Sequence, residues 1–146
     1  MKPTLRYKKL SPLASVPTYG STSAAGADLY ALSDADTVIA AGETKLIHTG
    51  IAVEIPEGYM GLIFARSGLA TKRGLAPANK VGVIDADYRG EIMVALYNQS
   101  GEEQTVAAGE RIAQLVITPV FTPGFAEVTE LTDTSRSAGG FGSTGK

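Results

Sequence analysis

The sequence contains no cysteine and a single histidine, His48. Disulfides, thiolate nucleophiles, Cys-ligated zinc and multi-histidine metal sites are therefore excluded together. Charge is sparse as well. Only 19% of the 146 residues are Asp, Glu, Lys or Arg, and thirteen basic against fifteen acidic side chains leave a net charge of −2. A general binder of nucleic acid or of a membrane surface needs a basic excess that this chain lacks. No apolar run approaches the length of a bilayer, and the start, Met1 to Arg6, has no apolar stretch behind its charges. Neither a membrane span nor a targeting leader is expected, and a cytoplasmic location is.

What is present is apolar residue in short pieces. With 44% apolar content and the length of one ordinary domain, the chain can build a single core. Seventeen Gly and seven Pro punctuate the apolar segments. No stretch of typical helical length keeps a 3.6-residue period, so the expected class is all-β. Ile51, Val53 and Ile55 alternate with Ala52 and Glu54, and Pro56-Glu57-Gly58 then turns the chain into Tyr59 to Phe64, which reads as a hairpin. Glu91 to Tyr97 and Arg111 to Phe121 are longer strands. Residues 92–96 are apolar on both alternating faces, as in a sandwich interior or a subunit interface. Shorter strands are expected at Leu5 to Leu10, Ala27 to Ala31, Thr37 to Ala40, Thr44 to His48, Leu75 to Val83 and Thr105 to Ala107. Many short strands at this spacing point to a jelly-roll-like sandwich or barrel over residues 1–131. Composition then shifts: ten of the last fifteen residues are Gly, Ser or Thr, so 132–146 reads as a flexible tail.

Four segments carry candidate chemistry. Gly140 to Lys146 fits most of a P-loop, but no strand precedes it and no helix follows, so the phosphate-loop reading fails. Its adjacent glycines can still converge N–H donors on an anion, with Phe141 a lone aromatic and Arg136 a fixed charge. Asp85-Ala86-Asp87-Tyr88-Arg89-Gly90 opens like a calcium loop, yet Arg89 and Leu96 stand where oxygen ligands are required. A carboxylate held at a strand end is instead a credible general base. Ala65-Arg66-Ser67-Gly68 sets a guanidinium, a hydroxyl and a permissive backbone on a loop leaving a strand, a combination suited to phosphate oxygens. His48 sits in a strand pattern and reads as structural.

In order along the chain, five blocks resemble the homotrimeric all-β dUTP pyrophosphatases: Ala25 to Tyr30, Arg66 to Ala70, Gly82 to Gly90, Gly109 to Gln114, and Arg136 with Gly139 to Gly145. The resemblance implies hydrolysis of dUTP to dUMP and pyrophosphate, limiting uracil in DNA and supplying dUMP for thymidylate synthesis. It implies Mg²⁺ held mainly by substrate phosphates, with Asp28 meeting the metal through water. Asp85 would be the general base. Arg66, Ser67, Gly68 and Gln114 would take the phosphates. A hairpin of roughly Leu75 to Tyr88 would hold the uracil, with Asn79, Val83, Ile84 and Asp85 reading its edge and Met93 lining the pocket. Tyr88 would pack on the deoxyribose, Phe141 over the base, and Arg136, Gly142, Ser143 and Thr144 would close from the tail. Each site would be shared among three subunits.

Three positions depart from the family's pattern: Ala65 and Ala108 replace its usual prolines, and Ser137 its usual glycine. None carries an assigned chemical group. Two rivals are a dCTP-deaminating relative on the same fold, which needs an acid at the ring carbon, and a nucleotide-gated interaction protein that binds without turnover.

Overall fold

The computed structural model describes residues 4–140. In chain order the strands are β1 (Arg6–Lys9), β2 (Thr18–Tyr19), β3 (Ala27–Tyr30), β4 (Thr37–Ile39), β5 (Thr44–His48), β6 (Ile51–Glu54), β7 (Tyr59–Phe64), β8 (Leu75–Pro77), β9 (Gly82–Ile84), β10 (Met93–Asn98), β11 (Gln104–Val106) and β12 (Arg111–Pro119), with one helix, α1 (Ser67–Arg73), between β7 and β8. All pairings are antiparallel. The largest sheet runs β2-β3-β12-β7-β9, a second runs β5-β10-β8, and β1-β6 and β11-β4 form two-stranded ribbons. The all-β, jelly-roll-like architecture expected from the sequence is the one observed.

The core follows from period-two burial. Leu29, Ile63, Ile84 and Leu115 of the five-stranded sheet join Ile47, Leu75, Val94 and Leu96 of the three-stranded sheet in one apolar cluster, which Ile51, Val53 and Ile55 extend. The expected inward set at 51–55 is thus in the core, although Ala52 between them is buried as well and only Glu54 is partly exposed. The expected hairpin is not formed. Tyr59 N–H does bond Pro56 O and Gly58 takes φ +81°, so the turn exists. However, β6 pairs with β1, while both edges of β7 are taken by β12 and β9. The turn carries the chain from one sheet to another.

Strand β10 also differs from the expectation of two covered faces. Val94 and Leu96 are buried, whereas Met93 is exposed and Ala95 half-buried, so within one chain only one face is covered. Beyond Pro119 regular structure stops, and residues 121–138 are exposed, Phe121 at 86% and Phe125 fully.

Asn98, entirely buried, joins three segments. Its Nδ2 donates to Ile39 O (2.9 Å) and Glu102 O (2.7 Å), and its Oδ1 accepts from Ser100 N–H (3.0 Å) and the Ser100 hydroxyl (2.6 Å). Asn98→Ala strands these partners without water, and urea denaturation should record a loss of about 2–4 kcal/mol.

Candidate functional site

Two groups of polar side chains flank β7, one on its β12 side and one beyond β9. The first begins in the middle of the large sheet. Register sets Gln114 of β12 opposite both Asp28 of β3 and Phe64 of β7, which brings the three into one row. Arg66 follows β7 and turns its Nε onto Asp28 Oδ1 at 2.8 Å; Arg111 reaches Oδ2 of the same carboxylate at 3.2 Å. Gln114 Nε2 donates to Ala65 O at 2.8 Å and so fixes the residue that leads into Arg66. Gly26 belongs to this packing, because a Cβ there would meet Gln114 Oε1 at 2.4 Å.

Arg66 to Gly68 is not the loop expected from the sequence. Arg66 is the N-cap of α1, and Ser67 and Gly68, both exposed, form its first turn, with amides that have no intrahelical acceptor. The helix stops after two turns because Gly74 takes φ +66° and returns its N–H to Ala70 O. Arg73 at its last turn ties it down through Gln104, Glu110 and Thr105 O.

The second group lines an open cleft of about 280 Å³ between β9 and β10. Six of the expected residues meet there: Asn79, Val83, Ile84, Asp85, Tyr88 and Met93. Asp85 ends β9, is exposed, and its carboxylate makes no hydrogen bond or ion pair with the described residues. The segment Leu75 to Tyr88 does fold back, at Ala78 to Val81 with Lys80 at φ +67°. Its two strands are not paired with each other, however, since β8 bonds β10 and β9 bonds β7. The uracil hairpin expected from the resemblance is therefore a bridge between two sheets, with the cleft at its base.

Sequence reasoning missed Leu46 and Glu91 of this lining. Glu91 is the better anchored. Its Oε2 meets His48 Nδ1 at 2.9 Å, and its Oε1 accepts the N–H of Gly50 (2.7 Å) and Thr49 (3.2 Å). Burial, the largest single influence, opposes its ionisation. The hydrogen bonds from His48, Gly50 and Thr49 and the charge of His48 together outweigh it, so the carboxyl titrates below the usual Glu value. His48, read as structural, is thus the partner of a cleft residue. Only strand pairing, His48 against Met93, reveals this.

Arg136 is exposed and bonds Gly139 O at 2.8 Å, and Ser137 takes φ +45°, the left-handed region that favours glycine. Phe141, Gly142, Ser143 and Thr144 lie outside the described residues.

The cleft contains none of Asp28, Arg66, Ser67, Gly68 or Gln114. Since Ile84 pairs with Gly61, Asp85 lies near the Met60 end of β7, and from there to Phe64 is roughly 13 Å of strand.

Residues 13–145 match the family model described as dUTPase. A deoxyuridine 5'-triphosphate nucleotidohydrolase of Nautilia profundicola is 52% identical over 142 residues, spanning 97% of this chain and 99% of the relative. Among solved structures, the dUTPase of Staphylococcus bacteriophage 80alpha with dUPNHPP superposes with a TM-score of 0.87 at 32% identity, covering 99% of this chain and all of that one. A mutant dUTPase from phage phi11 of S. aureus, described for its structural Mg(II) ion, has a TM-score of 0.79 at 30% identity, covering 88% and 98%.

The depressed Glu91 carboxyl makes stability depend on pH with a defined sign. A group whose pKa is lower folded than unfolded stabilises the fold above its unfolded value and ceases to do so as pH falls through the folded one. Melting temperature should therefore drop on acidification below the ordinary Glu range, and Glu91→Gln should flatten that part of the profile relative to wild type.

Proposed function

The chain belongs to the dUTPase family, and from this we propose that it hydrolyses dUTP to dUMP and pyrophosphate with Asp85 as general base, at sites completed by neighbouring copies. The observation that carries the assignment is Asp85 itself: an exposed, unpaired carboxylate fixed at a strand end, on the rim of a cleft that also holds Asn79 and Tyr88. A general base must be within reach of water and hold no competing partner.

In this reading a water donates its proton to the Asp85 carboxylate while its oxygen attacks the α-phosphorus in line. The bond from that phosphorus to the bridging oxygen breaks, and pyrophosphate leaves. The cleft receives the uracil, with Asn79 and the backbone of Val83 to Asp85 at its edge and Met93 alongside, while Tyr88 packs on the deoxyribose. A walled pocket rejects the thymine methyl by clash and the cytosine amino group by mismatched donors. Deamination of dCTP is disfavoured by the other carboxylate lining the cleft, Glu91, whose oxygens already accept three bonds.

Arg66, Ser67, Gly68 and Gln114 suit the phosphates, Arg66 held in orientation by Asp28. Within one chain none of these residues lines the Asp85 cleft, so one chain does not bring both sets to one substrate. A second copy that brings its Arg66 group to the Asp85 cleft removes the difficulty, which supports the homotrimer with shared sites. The uncovered outer face of β10 and the exposed Phe121 and Phe125 are surfaces such an assembly would cover. Closure by Arg136, Phe141, Gly142, Ser143 and Thr144 from the tail belongs to the same reading, as does a cytoplasmic location, where the substrate is an intracellular nucleotide.

The donor set suits Mg²⁺ carried by the substrate. Among the described residues no three His, Cys, Asp or Glu side chains converge on a common point. Asp28, with a guanidinium on each oxygen, retains lone pairs for the waters of a cation but is not a bare ligand. When bound, Mg²⁺ supplies neutralisation of charge on the phosphates.

Asp85→Asn should leave dUTP binding in place and lower turnover by roughly 10²–10⁴-fold in a pyrophosphate-release assay. Solvent ¹⁸O should appear in dUMP; label found in pyrophosphate would overturn attack at the α-phosphorus. Truncation after Ser135 should keep the melting temperature, since none of the described residues it removes belongs to the core, and sharply reduce turnover, whereas unchanged kinetics would show the tail to be incidental.

A further inference from the structure

We propose that Gly90 and Glu91 are positioning residues that set discrimination between deoxyribose and ribose, by seating the ring of Tyr88. The inference rests on the reading above, in which Tyr88 is the wall against the sugar. It concerns what holds that wall.

Three observations converge. Tyr88 Oη donates to the backbone carbonyl of Glu91 at 2.9 Å, although Tyr88 is 42% exposed. The ring lies directly over Gly90: a Cβ there would stand 2.4 Å from Oη, 2.6 Å from Cζ and 3.0 Å from Cε2. The acceptor carbonyl is in turn fastened to the opposite strand. Glu91 grips His48, Thr49 and Gly50 through its carboxylate, Ile92 N–H bonds Ile51 O at 2.8 Å, and the buried Thr49 hydroxyl bonds Ile92 O at 2.6 Å. Position 50 accepts only glycine, for at φ +66° a Cβ would meet Leu32 Cδ2 at 2.6 Å and Ala14 Cβ at 2.7 Å. Arg89 closes the turn from the other side by donating to Ala86 O and Tyr88 O.

Rigidity is what the sugar test requires. An apolar pocket rejects an added hydroxyl only weakly, because the wall can retreat and water can follow. A ring pinned at its hydroxyl end and backed by main chain retreats less readily than a free one, so the 2′-hydroxyl of a ribonucleotide meets a firmer surface. An exposed tyrosine on a free turn would not provide this.

The test is the ratio of kcat/KM for dUTP to that for UTP. Gly90→Ala adds a Cβ against the movable end of a side chain, at a backbone φ that alanine accepts, so the fold survives while the ring is displaced. The ratio should fall about three- to tenfold, the factor that one ordinary hydrogen bond supplies. Glu91→Ala should produce a similar fall. Glu91→Gln should restore the wild-type ratio, since its carbonyl oxygen still accepts from Thr49 and Gly50 and its amide can donate to His48. Tyr88→Phe should match Glu91→Ala, and the double variant should add nothing further. A folded Gly90→Ala protein with the wild-type ratio overturns the proposal, and it decides alone where Glu91→Ala does not fold. A wild type that leaves dUTP intact, or a Tyr88→Ala variant with an unmoved ratio, overturns instead the functional reading on which the proposal rests.

Discussion

Strand β7 acts as a ruler. Extended chain cannot be compressed, so hydrogen bonds to β12 on one side and β9 on the other fix how far Arg66 lies from Asp85. With both neighbours in register, neither group can slide toward the other without breaking several ladder bonds. A jelly-roll-like sandwich thereby presents the Arg66 group and the Asp85 cleft as separate surfaces of one chain. Apolar side chains beyond Pro119 and Met93 on the outer face of β10 stay exposed.

Two carboxylates do the structural work around these surfaces, and both do it by accepting several donors. Asp28 takes two guanidinium groups, which orients Arg66 at the cost of any role as a bare metal ligand. Glu91 takes two amides and an imidazole, which fastens the segment that follows Tyr88 to the turn after β5. At Glu91 desolvation opposes the charge and directed hydrogen bonds restore it. Asp85 is the contrast: it accepts no bond from the described residues, and that availability distinguishes a group able to receive a proton from one that holds a frame.

Much of the fold was legible because strands declare themselves through local chemistry. The alternation at Ile51, Val53 and Ile55, the glycines at turns and the apolar run ending at Phe64 located elements well. Partnership was another matter. Pro56 to Gly58 looks like a hairpin turn, and only competition for the edges of β7 and β6 shows that it links two sheets. The two-turn helix at Ser67 to Arg73 was invisible, since seven residues are too few to establish a period.

The site divides along the same line. Asp85, Arg66, Tyr88 and the tail could be nominated from sequence because their chemistry is local: a carboxylate at a strand end, a guanidinium beside a hydroxyl, an aromatic next to two acids, a run of glycines. Glu91 and His48 could not, being 43 residues apart and joined only where β10 lies against β5. Composition and short-range pattern determined the class, the turns and the inventory of reactive groups, since these depend on neighbours along the chain. Which groups share a cleft, which carboxylate is free and which is bound, and how Arg66 stands relative to Asp85 were decided by strand register, because hydrogen-bonded pairing is the interaction that converts separation in sequence into distance in space.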